Sequence, residues 1–287
     1  MPYTHLLEHP HILGYHQRLT PPDCGITLER RTSIYPDPLK GNSRPPSIVT
    51  TEKVEDPWTV EKALATIDRP AEGSTSPVPF FHLLERLKTT KRAGWMRFRI
   101  QRGGSVADHS WRMAMMAALP ATSLACQLDI GKCIKMYLFH DMAESLVGDL
   151  TPADDVPKTE KHRREADTIS YIEGKILHKV NAGGAGQELV DLWREFEEGK
   201  SLESRFIQDF DKIEMLLQMV EYERRAKGRL DLSEFTYVET KVLLPETQAW
   251  AKKIIGERKE FWKTHGSTEA GASEIRMRKM QDAYYSN

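Results

Sequence analysis

Proline placement constrains this chain more than any other feature. Twelve of its sixteen prolines lie between Pro2 and Pro79, and only Pro120, Pro152, Pro157 and Pro245 follow. Proline lacks the backbone N–H that a helix interior needs, and its ring clashes with the preceding turn. The first 78 residues, which also contain the runs RPPS and AEGSTSP, therefore read as a mostly irregular, poorly ordered N-terminal extension. Within it the segment TVEKALATI predicts one short helix, Thr59 to Ile67. His5, His9, His11 and His16 are unevenly spaced among apolar residues and are not read as a metal-binding tract.

From Pro79 onward the apolar residues recur at helical spacing, beginning with FFHLLERLK. Further helices are predicted over Val106–Ala118, Ile130–Leu146, Lys158–Val180, Glu188–Glu197, Leu202–Lys227 and Pro245–Thr264. Period-two alternation is scarce. The expectation is an all-α helical bundle over residues 79–265, followed by a polar tail over 266–287. Lys and Arg number 41 against 42 Asp and Glu, a net charge of −1, so nothing draws the chain toward a nucleic-acid polymer or an anionic membrane. No apolar run reaches the length of a membrane span, and the N-terminus lacks a secretory pattern, so a cytoplasmic location, with or without a nuclear pool, is expected. The three cysteines form no CxxC pair, and Cys126 and Cys133 are expected in the core.

The chemistry centres on LFHDMAESLVGDLTP. His140 and Asp141 adjoin in an apolar helix, where an ionised carboxylate is costly unless paired or bound to metal. Imidazole with carboxylate suits a divalent transition metal. Glu144 falls one turn after His140 on the same face, and Asp149 follows Gly148 where a loop can fold back. His109 opens an earlier helix and offers a second imidazole from another direction. Asp211 lies beside the apolar stripe of RFIQDFDKIEMLLQM and can point into the bundle; Asp209 is read as the more exposed alternative. On spacing alone this set is balanced between a metal site and ordinary core pairing. The run Lys161, His162, Arg163, Arg164 is read as a solvated helix face, and Trp250, Phe261 and Trp262 as packing.

The order H…HD…D, here His109, His140–Asp141 and Asp211, resembles the HD-domain superfamily of metal-dependent phosphohydrolases. The blocks RLKTTKRAGWMRF, SVADHSWRMAMMA, YLFHDMAESLVGDLTPAD, EKHRREAD and DFDKIEMLLQMVEYE are similar to the 5'-deoxynucleotidases of the human HD-domain-containing protein 2 type, with YfbR-like bacterial enzymes more distant. That resemblance implies an HD-domain fold, often homodimeric, that hydrolyses deoxyribonucleoside 5'-monophosphates with a divalent cation (Mn, Co, Mg, Fe or Zn). It implies that His109, His140, Asp141 and Asp211 hold the principal metal. Glu144 and Asp149, with the Leu150 carbonyl, match positions linked to catalysis or a second ion. Arg92 matches a substrate contact. The bacterial enzymes place a Trp directly after that Arg; here Ala93 follows, and Trp95, three residues on, is the candidate contact. The acidic residue before the last motif is either Glu195 or Glu197. Rival expectations are a cyclic-nucleotide or nucleoside polyphosphate hydrolase, and an inactive regulatory module that retains metal.

Overall fold

Helix starts are written in capping residues. Ser105 accepts from the Asp108 amide at 3.1 Å while the Asp108 carboxylate accepts from the Ser105 amide at 2.8 Å, a reciprocal cap that begins a helix at Val106. Asp129 and Ser201 cap the helices that begin at Ile130 and Leu202, accepting from the amides of Lys132 and Ser204. In this computed structural model residues 57–100 and 102–265 are described, and all of them belong to one compact unit. The expected irregular extension up to residue 56 and the polar tail from 266 lie outside the described residues.

The elements are α1 Val60–Leu64, α2 Val78–Thr89, α3 Ala93–Met96, α4 Val106–Ala117, α5 Thr122–Ala125, α6 Ile130–Phe139, α7 Glu144–Val147, α8 Lys158–Tyr171, α9 Gly184–Glu198, α10 Leu202–Arg225 and α11 Pro245–His265. Among the described residues there is no strand, only an isolated bridge between Lys91 and Ser105. The longest helix, α10, packs against α4, α6, α9 and α11. Its apolar residues join two cores: Phe206, Ile207 and Phe210 pack with Met113, Met136 and Tyr137, while Leu216, Met219 and Val220 pack with Ile254 and Ile255. A third core joins α2, α7, α8 and α9 around Leu83, Ile172 and Leu189. No helix of the described residues is long and apolar enough to cross a membrane.

Several expectations shift. The packed body begins before residue 79: Thr59 caps α1, and Leu64, 2% exposed, joins the third core. The predicted helix Ile130–Leu146 breaks at His140–Ala143. There the amides of Met142, Glu144 and Ser145 reach back three residues instead of four, which tightens the chain and separates α6 from α7. The helix expected to run to Val180 loses α-form after Tyr171 and continues as a wider π-helical stretch, Ile172–Leu177. The short helices α3 and α5, and a 3-10 segment over Ser233–Lys241, carried too little periodicity to be predicted. Cys133 is buried, as expected, and burial pushes its thiol up to about 12. Cys126, at the end of α5, is exposed, because the apolar face of that single turn is taken by Leu124. Trp250 packs edge-on against Phe210, and Trp262 donates to the buried Glu223, in line with the packing role.

Candidate metal centre

The cap at Ser105 fixes where α4 begins and so where His109 sits: in its first turns, facing inward and fully buried. His140 caps the C-terminal end of α6, where the chain tightens, and it too is buried. Asp211 projects from the middle of α10. Ligating nitrogens and a carboxylate oxygen of His109, His140 and Asp211 all lie within 4.8 Å of one another. Asp141 closes the group, its Oδ2 being 3.1 Å from His140 Nε2 and 3.8 Å from His109 Nε2; Asp211 Oδ1 is 3.2 Å from His109 Nε2.

Hydrogen bonds on the far side of each ring decide what the near side can do. His140 Nδ1 meets the Tyr137 carbonyl at 2.8 Å, and His109 Nδ1 meets the Glu214 carboxylate at 2.6 Å. Each Nδ1 therefore donates, which leaves a lone pair on Nε2 aimed at the two aspartates. Both Nε2 atoms are buried without a hydrogen-bond partner, and so is Glu144 Oε2. Buried polar atoms are rarely left unmatched, and two imidazoles with two carboxylates form a donor set that fits a divalent cation. A His/Asp group able to hold such a metal is thus present.

The electrostatics follow. Burial opposes the charged form of Asp141, yet His140 and Arg92 hold its carboxyl well below the usual range. Asp211 is held low against the same burial, chiefly by His109 and then Arg92. For His109, burial and Arg92 oppose protonation, but Asp211 and Glu214 outweigh them and lift it to about 9, so a proton and a cation compete for Nε2. Glu144 is pushed well above the carboxylate range by burial, with Asp141 and Asp149 adding to it.

The remaining expected site residues are drawn together unevenly. Arg92, at the start of α3, reaches three carboxylates: Asp141 at 3.5 Å, Asp149 at 3.9 Å and Asp211 at 3.9 Å. Gly148 (φ 80°, ψ 168°) turns the chain so that Asp149 accepts from the Ala93 amide at 2.6 Å. Only glycine adopts that backbone region at low cost. The Leu150 carbonyl is taken by Lys161 Nζ at 2.9 Å, which occupies the oxygen expected to face an ion. Trp95 is 3% exposed, boxed in by Tyr222 and Phe235, with Nε1 donating to Gln218; it forms part of a wall instead of an open stacking platform.

These groups line a cavity of about 600 Å³, within the range that encloses a small ligand. Lys161 and His162 border it, so half of the basic run faces the site, while Arg163 and Arg164 pair outward with Glu160. Glu197 also lines it, whereas Glu195 bonds to Lys132 and Ser201. Asp209, expected to be exposed, is fully buried and accepts from the amides of Leu243 and Leu244 and the Thr247 hydroxyl. Sequence reading missed Glu214, because its partner lies 105 residues away and no local pattern marks it.

A helical bundle with two histidines and two aspartates meeting at a cavity defines a class of helical proteins with a candidate metal centre. A family model described as HD domain matches residues 84–250, and the chain belongs to the HD-domain family. It is 40% identical to the 5'-deoxynucleotidase hdd1 of Schizosaccharomyces pombe over 194 residues, 67% of this chain and 95% of that protein. It is 37% identical to the human 5'-deoxynucleotidase HDDC2 over 185 residues, 62% of this chain and 87% of the relative. Among solved structures it resembles the HD domain-containing protein YGK1, known as a Saccharomyces cerevisiae protein, at 30% identity and a TM-score of 0.52, covering 71% of this chain and 95% of that one.

Proposed function

We propose that this protein is a metal-dependent 5'-deoxynucleotidase, which adds water to a deoxyribonucleoside 5'-monophosphate and releases deoxynucleoside and inorganic phosphate. One observation carries the reading: two buried imidazoles, each fixed at Nδ1, leave their Nε2 atoms unpartnered toward Asp141 and Asp211 at the floor of the cavity. The names of the relatives support the substrate class.

In this reading His109, His140, Asp141 and Asp211 hold the principal divalent cation, their mixed nitrogen and oxygen set suiting Mn, Co, Mg, Fe or Zn. When bound, the cation supplies Lewis-acid charge to the phosphoryl oxygens and lowers the pKa of water held against it. Arg92 binds the phosphoryl oxygens, exchanging part of its contact with Asp141, Asp149 and Asp211 for the substrate dianion. Glu144, with a free buried Oε2, orients the attacking water or, once a bound cation's charge favours its ionised form, accepts its proton. Asp149, tied to the Ala93 amide, keeps Arg92 in register and either protonates the leaving 5'-oxygen or shares a second cation with Glu144. Phe235 and Val238, beside Trp95, offer the cavity an apolar side for sugar and base.

The same reading makes the protein a homodimer of the cytoplasm, or of cytoplasm and nucleus. Trp111 and Met115, one turn apart on α4, and Leu119 just past its end are exposed and offer a second copy an apolar patch, and light scattering at twice the chain mass tests it. A panel of dAMP, AMP, 3',5'-cyclic AMP and dATP, followed with manganese by chromatography of the nucleoside and nucleotide products beside phosphate release, tests the activity. Release from dAMP above all others is expected. Turnover confined to the cyclic or polyphosphate substrates, or no turnover with any, overturns the proposal.

A further inference from the structure

The two imidazoles are held from behind by different kinds of group. His140 leans on a backbone carbonyl, a neutral acceptor that no substitution removes. His109 leans on the carboxylate of Glu214, and both residues are 0% exposed. Glu214 lies three residues after Asp211 on α10, so one helix supplies both a candidate ligand and the group standing behind another. A carboxylate enclosed so completely is costly unless countercharged and hydrogen-bonded. Arg112, three residues after His109 on α4, brings its Nε to 3.4 Å from Glu214 Oε1 and forks onto Glu221 at 2.9 and 3.0 Å. A chain of charge thus runs from the surface through Arg112 and Glu214 to His109.

We infer that Glu214 is a positioning residue for the metal centre, holding His109 with its proton on Nδ1 so that Nε2 is presented to the cation. The inference rests on His109 being a ligand. Three features carry it beyond packing: the 2.6 Å contact, the complete burial of both partners, and the unpartnered Nε2 on the opposite side of the same ring. A carboxylate behind the ring also makes the imidazole more electron-rich than an amide or a carbonyl does. Groups in this position typically change metal affinity about 10- to 100-fold when removed.

The test uses the full chain, stripped with chelator and titrated with Co²⁺ by calorimetry and visible absorption. Glu214→Gln keeps an acceptor oxygen near Nδ1 and removes the charge; Glu214→Ala removes both. Cobalt binding is expected to weaken roughly 10-fold in the first and about 100-fold in the second, with altered visible bands. The metal-free melting temperature of Glu214→Gln is measured alongside, since a merely structural role moves melting and leaves affinity and spectrum alone. Wild-type affinity and spectrum in Glu214→Gln overturn the inference, even if Glu214→Ala fails to fold. A wild-type chain that binds no cobalt overturns the proposed function as well, which separates the two failures.

Discussion

Two aspartates stand two residues apart on α10, and the structure gives them opposite work. Asp209 is enclosed and accepts three hydrogen bonds: from Leu243 N at 2.8 Å, Leu244 N at 2.8 Å and Thr247 Oγ1 at 2.6 Å. It thereby fastens the start of α11 to α10. Asp211 points at His109 and bonds nothing that holds the fold. Replacing Asp209 with Ala takes the acceptor from two part-buried amides and leaves the Thr247 hydroxyl only the Leu244 carbonyl. Hydrogen bonds to a charged group are worth about 1.5–3 kcal/mol each, but they share one carboxylate whose burial is itself unfavourable, so the net loss is roughly 3–5 kcal/mol. For a body of this size that lowers the melting temperature by roughly 10 °C. Asp211→Ala should instead melt near wild type in the metal-free state and lose cation binding. Urea unfolding of both chelated variants, with cobalt titration of each, is the assay. An Asp209→Ala protein within about 1 kcal/mol of wild type would refute this reasoning, as would Asp211→Ala binding cobalt normally.

Three further outcomes are expected. Gly148→Ala places a side chain where only glycine is relaxed, at a cost of about 1–3 kcal/mol; because open space surrounds that Cβ, the effect is strain, seen as lower kcat/KM with displaced Asp149. Arg92→Ala should cost about 10²–10³ in kcat/KM with cobalt affinity retained, measured by steady-state kinetics beside calorimetry; an unchanged kcat/KM would remove Arg92 from phosphate binding. Glu165, beside the cavity, is pushed up to about 7, first by burial, with Glu197 and Asp141 adding and Lys161 opposing. Its raised folded pKa means that this stability is full below the unfolded value near 4.5 and is lost as pH rises through 7, at most about 3 kcal/mol. Glu165→Gln should therefore gain on wild type between pH 5 and pH 8 in urea midpoints of the chelated protein, and a constant difference across that range would contradict the assignment.

What the sequence makes legible is local. The helices that begin at Val106, Ile130 and Leu202 are legible from apolar spacing within one stretch of chain, and caps at Ser105, Asp129 and Ser201 fix their starts. The HD pair stands out because a charged residue in an apolar helix demands an explanation. What stays hidden depends on contacts across long stretches of chain. Asp209 looks exposed until the segment after Val242, more than thirty residues on, folds over it. Glu214 looks like any acidic residue of an amphipathic helix until α4 brings His109 to it. Trp95 reads as an open stacking face until Tyr222 and Phe235 enclose it in the cavity wall. The early packed residues are missed because proline signals the lack of long helices, and α1 needs only five residues to seat Leu64.

In the proposed site His109, His140, Asp141 and Asp211 together bind the cation on which hydrolysis depends. Asp141 tests it most directly, since its Oδ2 approaches both imidazoles and Arg92 while its side chain caps no helix. Phosphate release from dAMP should cease on chelation, return with Mn²⁺ or Co²⁺ in the wild type, and stay absent in Asp141→Ala under the same additions. Full turnover by metal-free Asp141→Ala would contradict the account.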